Sequence, residues 1–162
     1  GERLLYIPES YRESWAAIQG GRPNHEGLLF DKYVELVGFL HRRGVQILAG
    51  TDVVKPFFVP SFSLHDELGL LVSSGLTEME ALQAATRDAT RFVDLHDVGT
   101  IEQDMVADLV LLNTDPIENI GNTRSVASVV SAGQFFGRAE LKAISSNIRR
   151  NAASWAGDPT GR

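Results

Sequence analysis

Between Leu28 and Arg43 the apolar side chains fall at Leu29, Phe30, Tyr33, Val34, Leu36, Val37 and Leu40, a three-and-four spacing that predicts a helix with one broad buried face. Arg42 and Arg43 suit the negative end of its dipole, and Gly44 suits the position just past that end. The pattern then changes to a short, β-branched apolar run, Val45 to Ala49, flanked by Gly44 and Gly50, which predicts a buried strand. A strand that follows a helix and is apolar on both faces fits a parallel sheet or barrel, where ligands gather at the carboxyl ends of the strands. Asp52 stands at that end.

The flanking stretches extend this alternation. Gly1 to Pro8 fits an edge strand or an extended lead-in segment. Ser10 and Glu13 have capping-box spacing, and the helix they open aligns Tyr11, Trp15 and Ile18 before stopping near Gly20-Gly21. His25 and Glu26, in the loop that follows, read as a solvated pair more readily than as a chemical one. Beyond Asp52 lies a loop from Val53 to Phe62 carrying Pro56, Pro60, Phe57, Phe58 and Phe62. Its rings either wall a substrate pocket or tuck under the next helix. That helix is expected from Ser63, with Asp66 as capping partner, to about Ser74, and its His65 either faces the cleft of Asp52 or lies on plain surface.

Thr77 and Glu80 predict another capped helix running to about Leu95, with His96 to Gly99 as a turn. Ala107 to Asn113 predicts a second buried strand, Ala127 to Ser131 a third, and Gln134 to Phe136 a hairpin partner. A helix is expected from Arg138 to about Ala153, followed by a frayed Gly157–Arg162.

Composition narrows the classes. A chain of 162 residues with 43% hydrophobic and 22% charged residues is an ordinary globular one. A formal charge of −6 argues against nucleic-acid binding, because the dense basic pairs are only Arg42-Arg43 and Arg149-Arg150. No apolar run is long enough to span a membrane. With no cysteine, any metal must take His or carboxylate ligands, and a reducing cytoplasm is the expected compartment. No glycine-rich phosphate loop or G-x-S-x-G nucleophile elbow occurs. The first residue is Gly1, which fits a processed, tagged or excised polypeptide.

Four stretches together resemble the carboxyl-terminal portion of the amidohydrolase superfamily, nearest its imidazolonepropionase-like and Xaa-Pro-dipeptidase-like members. They are Ile47 to Asp52, Ser63 to Leu68, Gly75-Leu76-Thr77 with Glu80-Ala81-Leu82 and Ala85-Thr86, and Gly99 to Glu102 with Ala107 to Leu112. The resemblance covers roughly Leu28 to Arg138. It implies an α/β fold: the last units of a TIM-like barrel over 1–98, a small β-sheet over 99–137, and a C-terminal helix and tail over 138–162. It also implies a metal-dependent hydrolase of C–N bonds in amides, cyclic amides or dipeptides, in which Asp52 is both metal ligand and catalytic proton carrier. His65 and Glu67 match positions near the family's pocket, and Phe57, Phe58 and Phe62 are its candidate apolar wall.

The departures carry equal weight. The family's metal site also needs a His-x-His pair and two later histidines, whereas His25, His41, His65 and His96 form no such pair. A divalent metal, zinc first, is therefore expected in a full-length homologue and not tightly bound by this chain alone. Asp104-Met105 replaces the family's usual Gly-Lys in a turn, for which a local change is expected. The family's C-terminal strands pair with strands from the chain's beginning, so a homo-oligomer or a complementary N-terminal chain is expected to cover the sheet edges. A non-catalytic binding or assembly module that retains the family's C-terminal fold is the alternative reading.

Overall fold

The computed structural model describes residues 1–19, 26–53 and 56–155. Of the expected pair His25–Glu26, His25 lies outside the described residues and Glu26 opens a helix, and the expected frayed tail lies beyond residue 155, outside what is described. Among the described residues the architecture is mixed α/β, with six helices and one three-stranded sheet, and none of those helices is long and apolar enough to cross a membrane.

The chain opens with a 3-10 turn over Glu2–Tyr6, where an edge strand or extended lead-in was expected. Helix α1 spans Glu9–Gln19, so Ser10 lies inside its first turn rather than at its cap. Helix α2 spans Glu26–Arg42, close to expectation. Its end is closed by two backbone bonds, Gly44 N–H to His41 C=O at 2.9 Å and Val45 N–H to Leu40 C=O at 3.1 Å. These are the paired bonds of a Schellman motif, which satisfies carbonyls the helix leaves open.

The run Val45 to Ala49 departs from expectation. Among the described residues it belongs to no helix or sheet, and Val45 is exposed. Beyond the Val45 bond that closes α2, it is anchored by a bond from Ala49 N–H to the carbonyl of Ala84 at 3.1 Å, while Ile47 and Ala49 lean on the core. A strand needs a neighbour to exchange hydrogen bonds with, and a β-branched apolar run alone supplies none. For the same reason the apolar face of α2 is only partly covered: Leu29, Tyr33 and Leu36 are about half exposed.

Helix α3, Phe62–Ser73, has its cap at Ser61, two residues ahead of the expected Ser63, which is buried within the first turn. The proposed Ser63–Asp66 capping box is therefore absent, and Asp66 pairs with Arg3 and Arg124 instead. Helix α4, Glu78–Ala85, carries the expected capping box: Glu80 N–H donates to Thr77 Oγ1, and Thr77 N–H donates to Glu80 Oε2 at 2.8 Å. The single helix expected to run to Leu95 is broken at Thr86, after which α5 covers Arg87–Phe92. Thr86 Oγ1–H bonds back to the Leu82 carbonyl at 2.7 Å, a pattern that bends helices.

Strands β1 (Leu109–Leu112), β2 (Val126–Ser131) and β3 (Gln134–Phe136) form an antiparallel sheet in that order. The register pairs Leu109 with Val130 and Val129 with Phe136, and slips between Leu111 and Leu112. Ala132 and Gly133, both at positive φ, make the two-residue turn of the expected hairpin. Helix α6, Arg138–Ser154, closes the description. The main core joins Leu68 and Leu71 of α3, Leu76 from the α3–α4 connection, Ala81 and Ala84 of α4, and Ile120, which a 3-10 turn over Ile120–Arg124 presents.

Candidate active site

The helices α3 and α4 hold the end of the Val45–Ala49 run against the core, and a cleft of about 400 Å³ opens beside it. Gly50, Thr51, Phe57, Phe58, Ser63, Asp66, Glu67 and Leu70 line it. Asp52 is exposed and directly follows the lining residue Thr51, with its backbone in the left-handed region at φ 50. Phe57 is also left-handed at φ 70, and its ring meets Trp15 with centroids 5.5 Å apart.

Glu67 ties the two sides of the cleft together. Its Oε1 accepts the Gly50 N–H at 2.7 Å, linking helix α3 to the residue where that run ends. Its Oε2 is buried with no hydrogen-bond partner among the described residues. Asp66, one residue earlier, accepts from Arg3 and, at 2.7 Å, from Arg124. Burial alone would raise the Asp66 pKa, but those hydrogen bonds and the two guanidinium charges together hold it below the ordinary carboxylate value. Both of its oxygens are thus engaged, and the carboxylate is fixed as an anion.

His65 turns to Thr123, with Nδ1 2.9 Å from Oγ1. The Thr123 hydroxyl donates to the Ile120 carbonyl at 2.8 Å, so its oxygen is left to accept from His65. That assignment places the ring proton on Nδ1 and leaves a lone pair on Nε2. Burial, and then the charge of Arg124, push the His65 pKa down, against the opposing pull of Asp66. The ring is accordingly neutral at pH 7.

Of the expected pocket residues, the structure brings Phe57, Phe58 and Glu67 to the cleft beside Thr51-Asp52. Phe62 sits on another side of the loop, its ring 5.2 Å from Tyr6, and His65 joins a structural network with Thr123. Asp66 and its two arginines were not expected here. Their signal was weak, because Arg3 and Arg124 are 63 and 58 residues away from Asp66 in sequence. Among the described residues no three His, Asp or Glu side chains gather into a group that could hold a metal ion. The described side chains therefore do not fit a catalytic zinc, which takes three protein ligands and an open position.

The amidohydrolase family matches residues 23–136. The chain belongs to that family. The solved structure of a bottromycin amidohydrolase superposes on 98% of this amidohydrolase chain at 26% identity with a TM-score of 0.78, and 36% of that protein is covered. A phenylurea hydrolase B matches over 85% of the chain and 33% of its own, at 26% identity and a TM-score of 0.61. A Xaa-Pro dipeptidase with methionine bound in its active site matches over 64% of the chain and 25% of its own, at 27% identity and a TM-score of 0.57. The chain thus spans a quarter to about a third of the length of these solved amidohydrolase relatives. No curated protein matches it.

The expected turn at Asp104 is present, with Asp104 left-handed at φ 67 where the family's usual glycine would meet no side-chain penalty. The surrounding sheet forms with the residue in place.

Proposed function

We propose that this chain supplies one carboxylate and one wall of an active site that hydrolyses C–N bonds in amides, cyclic amides or dipeptides. Family membership supports the reaction class, and the observation that carries the site is the cleft bounded by Gly50 and Thr51 immediately ahead of Asp52. In this reading Asp52 takes a proton from the attacking water and returns one to the leaving amine, while Phe57 and Phe58 face an apolar group of the substrate. Glu67 holds the segment before Asp52 through the Gly50 N–H. The family's metal, zinc by the chemistry of His and carboxylate donors, would be held chiefly by residues outside this sequence. The last barrel strand would then be Val45 to Ala49, paired by those same residues, and the absence of cysteine suits a cytoplasmic setting.

The exposed side chains of Leu29, Tyr33 and Leu36 on α2 and of Val110 and Leu111 on β1 support an assembly in which another polypeptide, or a second copy, covers them. A well-folded monomer in sedimentation at micromolar concentration would contradict that assembly. The alternative of a non-catalytic assembly module draws on the lack of a three-ligand group among the described residues. The two readings separate on Asp52→Asn in the complemented assembly. Loss of a proton carrier lowers kcat by about 10²–10⁴-fold, whereas an assembly module shows no amide hydrolysis with either residue.

A further inference from the structure

On the other side of the loop that walls the cleft, a groove of about 620 Å³ runs between α6, the opening 3-10 turn and residues 59–62. That volume lies within the roughly 300–1,000 Å³ of small-molecule sites. Its floor is apolar: Leu141, Ile144 and Ile148 lie along one stripe of α6, facing Ile7, Val59 and Phe62. Ile144 and Ile148 remain 42% and 46% exposed, so the stripe is incompletely covered by the described residues.

Charge distinguishes the groove from the rest of the molecule. Arg138 and Lys142, four residues apart on α6, are its charged lining residues, and no carboxylate lines it. Neither forms an ion pair with a described residue, whereas the nearby Arg149 is committed to Glu2 at 2.7 Å and lies over the Tyr6 ring. A chain with a formal charge of −6 thus presents an apolar channel whose charged lining is two cations with no ion-pair partner among the described residues.

We propose that this groove binds an amphipathic monoanion, an unbranched apolar chain ending in a carboxylate, with the chain along Leu141, Ile144 and Ile148 and the carboxylate at Arg138 and Lys142. Apolar burial supplies the driving force and the two cations set the direction of binding. This site is independent of the proposed hydrolysis.

Decanoate titrated into the intact chain, read by amide shifts in NMR, tests it. The proposal expects saturable shifts centred on Ile7, Phe62, Leu141, Ile144 and Ile148, with methyl decanoate binding at least about tenfold more weakly. The double variant Arg138→Gln/Lys142→Gln changes two exposed side chains, and it should abolish that preference without altering methyl decanoate binding. Ile144→Ser should weaken both ligands. Equal affinity for acid and ester, a preference that survives the double variant, shifts centred elsewhere, or no saturable shifts because a second copy occupies the groove would each overturn the proposal.

Discussion

Two helical glycines give opposite expectations for the same substitution. A methyl group at Gly38 of α2 would lie 2.0 Å from the carbonyl oxygen of Ser74, at the end of α3. One at Gly69 of α3 would meet nothing within 4 Å. Replacing glycine by alanine inside a helix gains about 1 kcal/mol in backbone propensity. At Gly38 that gain is opposed by a backbone contact that relaxes only if α2 and α3 separate by about 1 Å, and overpacking costs about 1–3 kcal/mol. The close approach puts Gly38→Ala at the upper end of that range, for a net loss of about 2 kcal/mol. Gly69→Ala should instead stabilise by up to about 1 kcal/mol. Urea unfolding of both variants against the parent decides the matter through the shift in midpoint at constant slope. If Gly38→Ala stabilises as Gly69→Ala does, the close approach of Gly38 to the Ser74 carbonyl is refuted.

Thr77→Ala should lower stability by about 1 kcal/mol, read from the same urea curves, because it removes the oxygen that caps α4. Asp104→Gly should raise the thermal midpoint, by about 0.5–1 kcal/mol of stability, since the turn there is left-handed. His65 favours its neutral form in the fold, so the unfolded chain binds the proton more readily. The stability it contributes is full above its ordinary value of 6.5 and falls as pH drops through the lower folded value. NMR titration of His65 should place its midpoint below 6.5, and His65→Gln should flatten the loss of stability over that acidic range.

Local signals in the chain were read well where the partner lies within a few residues. The Thr77–Glu80 cap, the end of α2 at Gly44, the Ala132-Gly133 hairpin and the extent of α6 are all short-range, and all are present. Val45 to Ala49 fails differently: its composition encodes a strand, but pairing depends on a neighbouring strand that the described residues do not supply. The continuous helical pattern to Leu95 is also interrupted at Thr86, whose backbone leaves the helical region at φ −128 and ψ −99. At the cleft, Phe57 and Phe58 line the wall that their place in the loop after Asp52 offered as one of two readings, and Glu67 stands there at a position named by the resemblance alone. The anchoring of Asp66 by Arg3 and Arg124, and of His65 by Thr123, depends on contacts across 58 or more residues, which no spacing reveals.

Metal analysis coupled to an amidase and dipeptidase assay addresses the proposed function most directly, using the purified 162-residue chain alone and then with a polypeptide that carries the His-x-His segment and remaining ligands. The account predicts neither stoichiometric zinc nor turnover in the chain alone, and turnover on complementation that Asp52→Asn removes. Stoichiometric zinc with Asp52-dependent turnover in the chain alone would contradict it, as would complemented activity indifferent to Asp52.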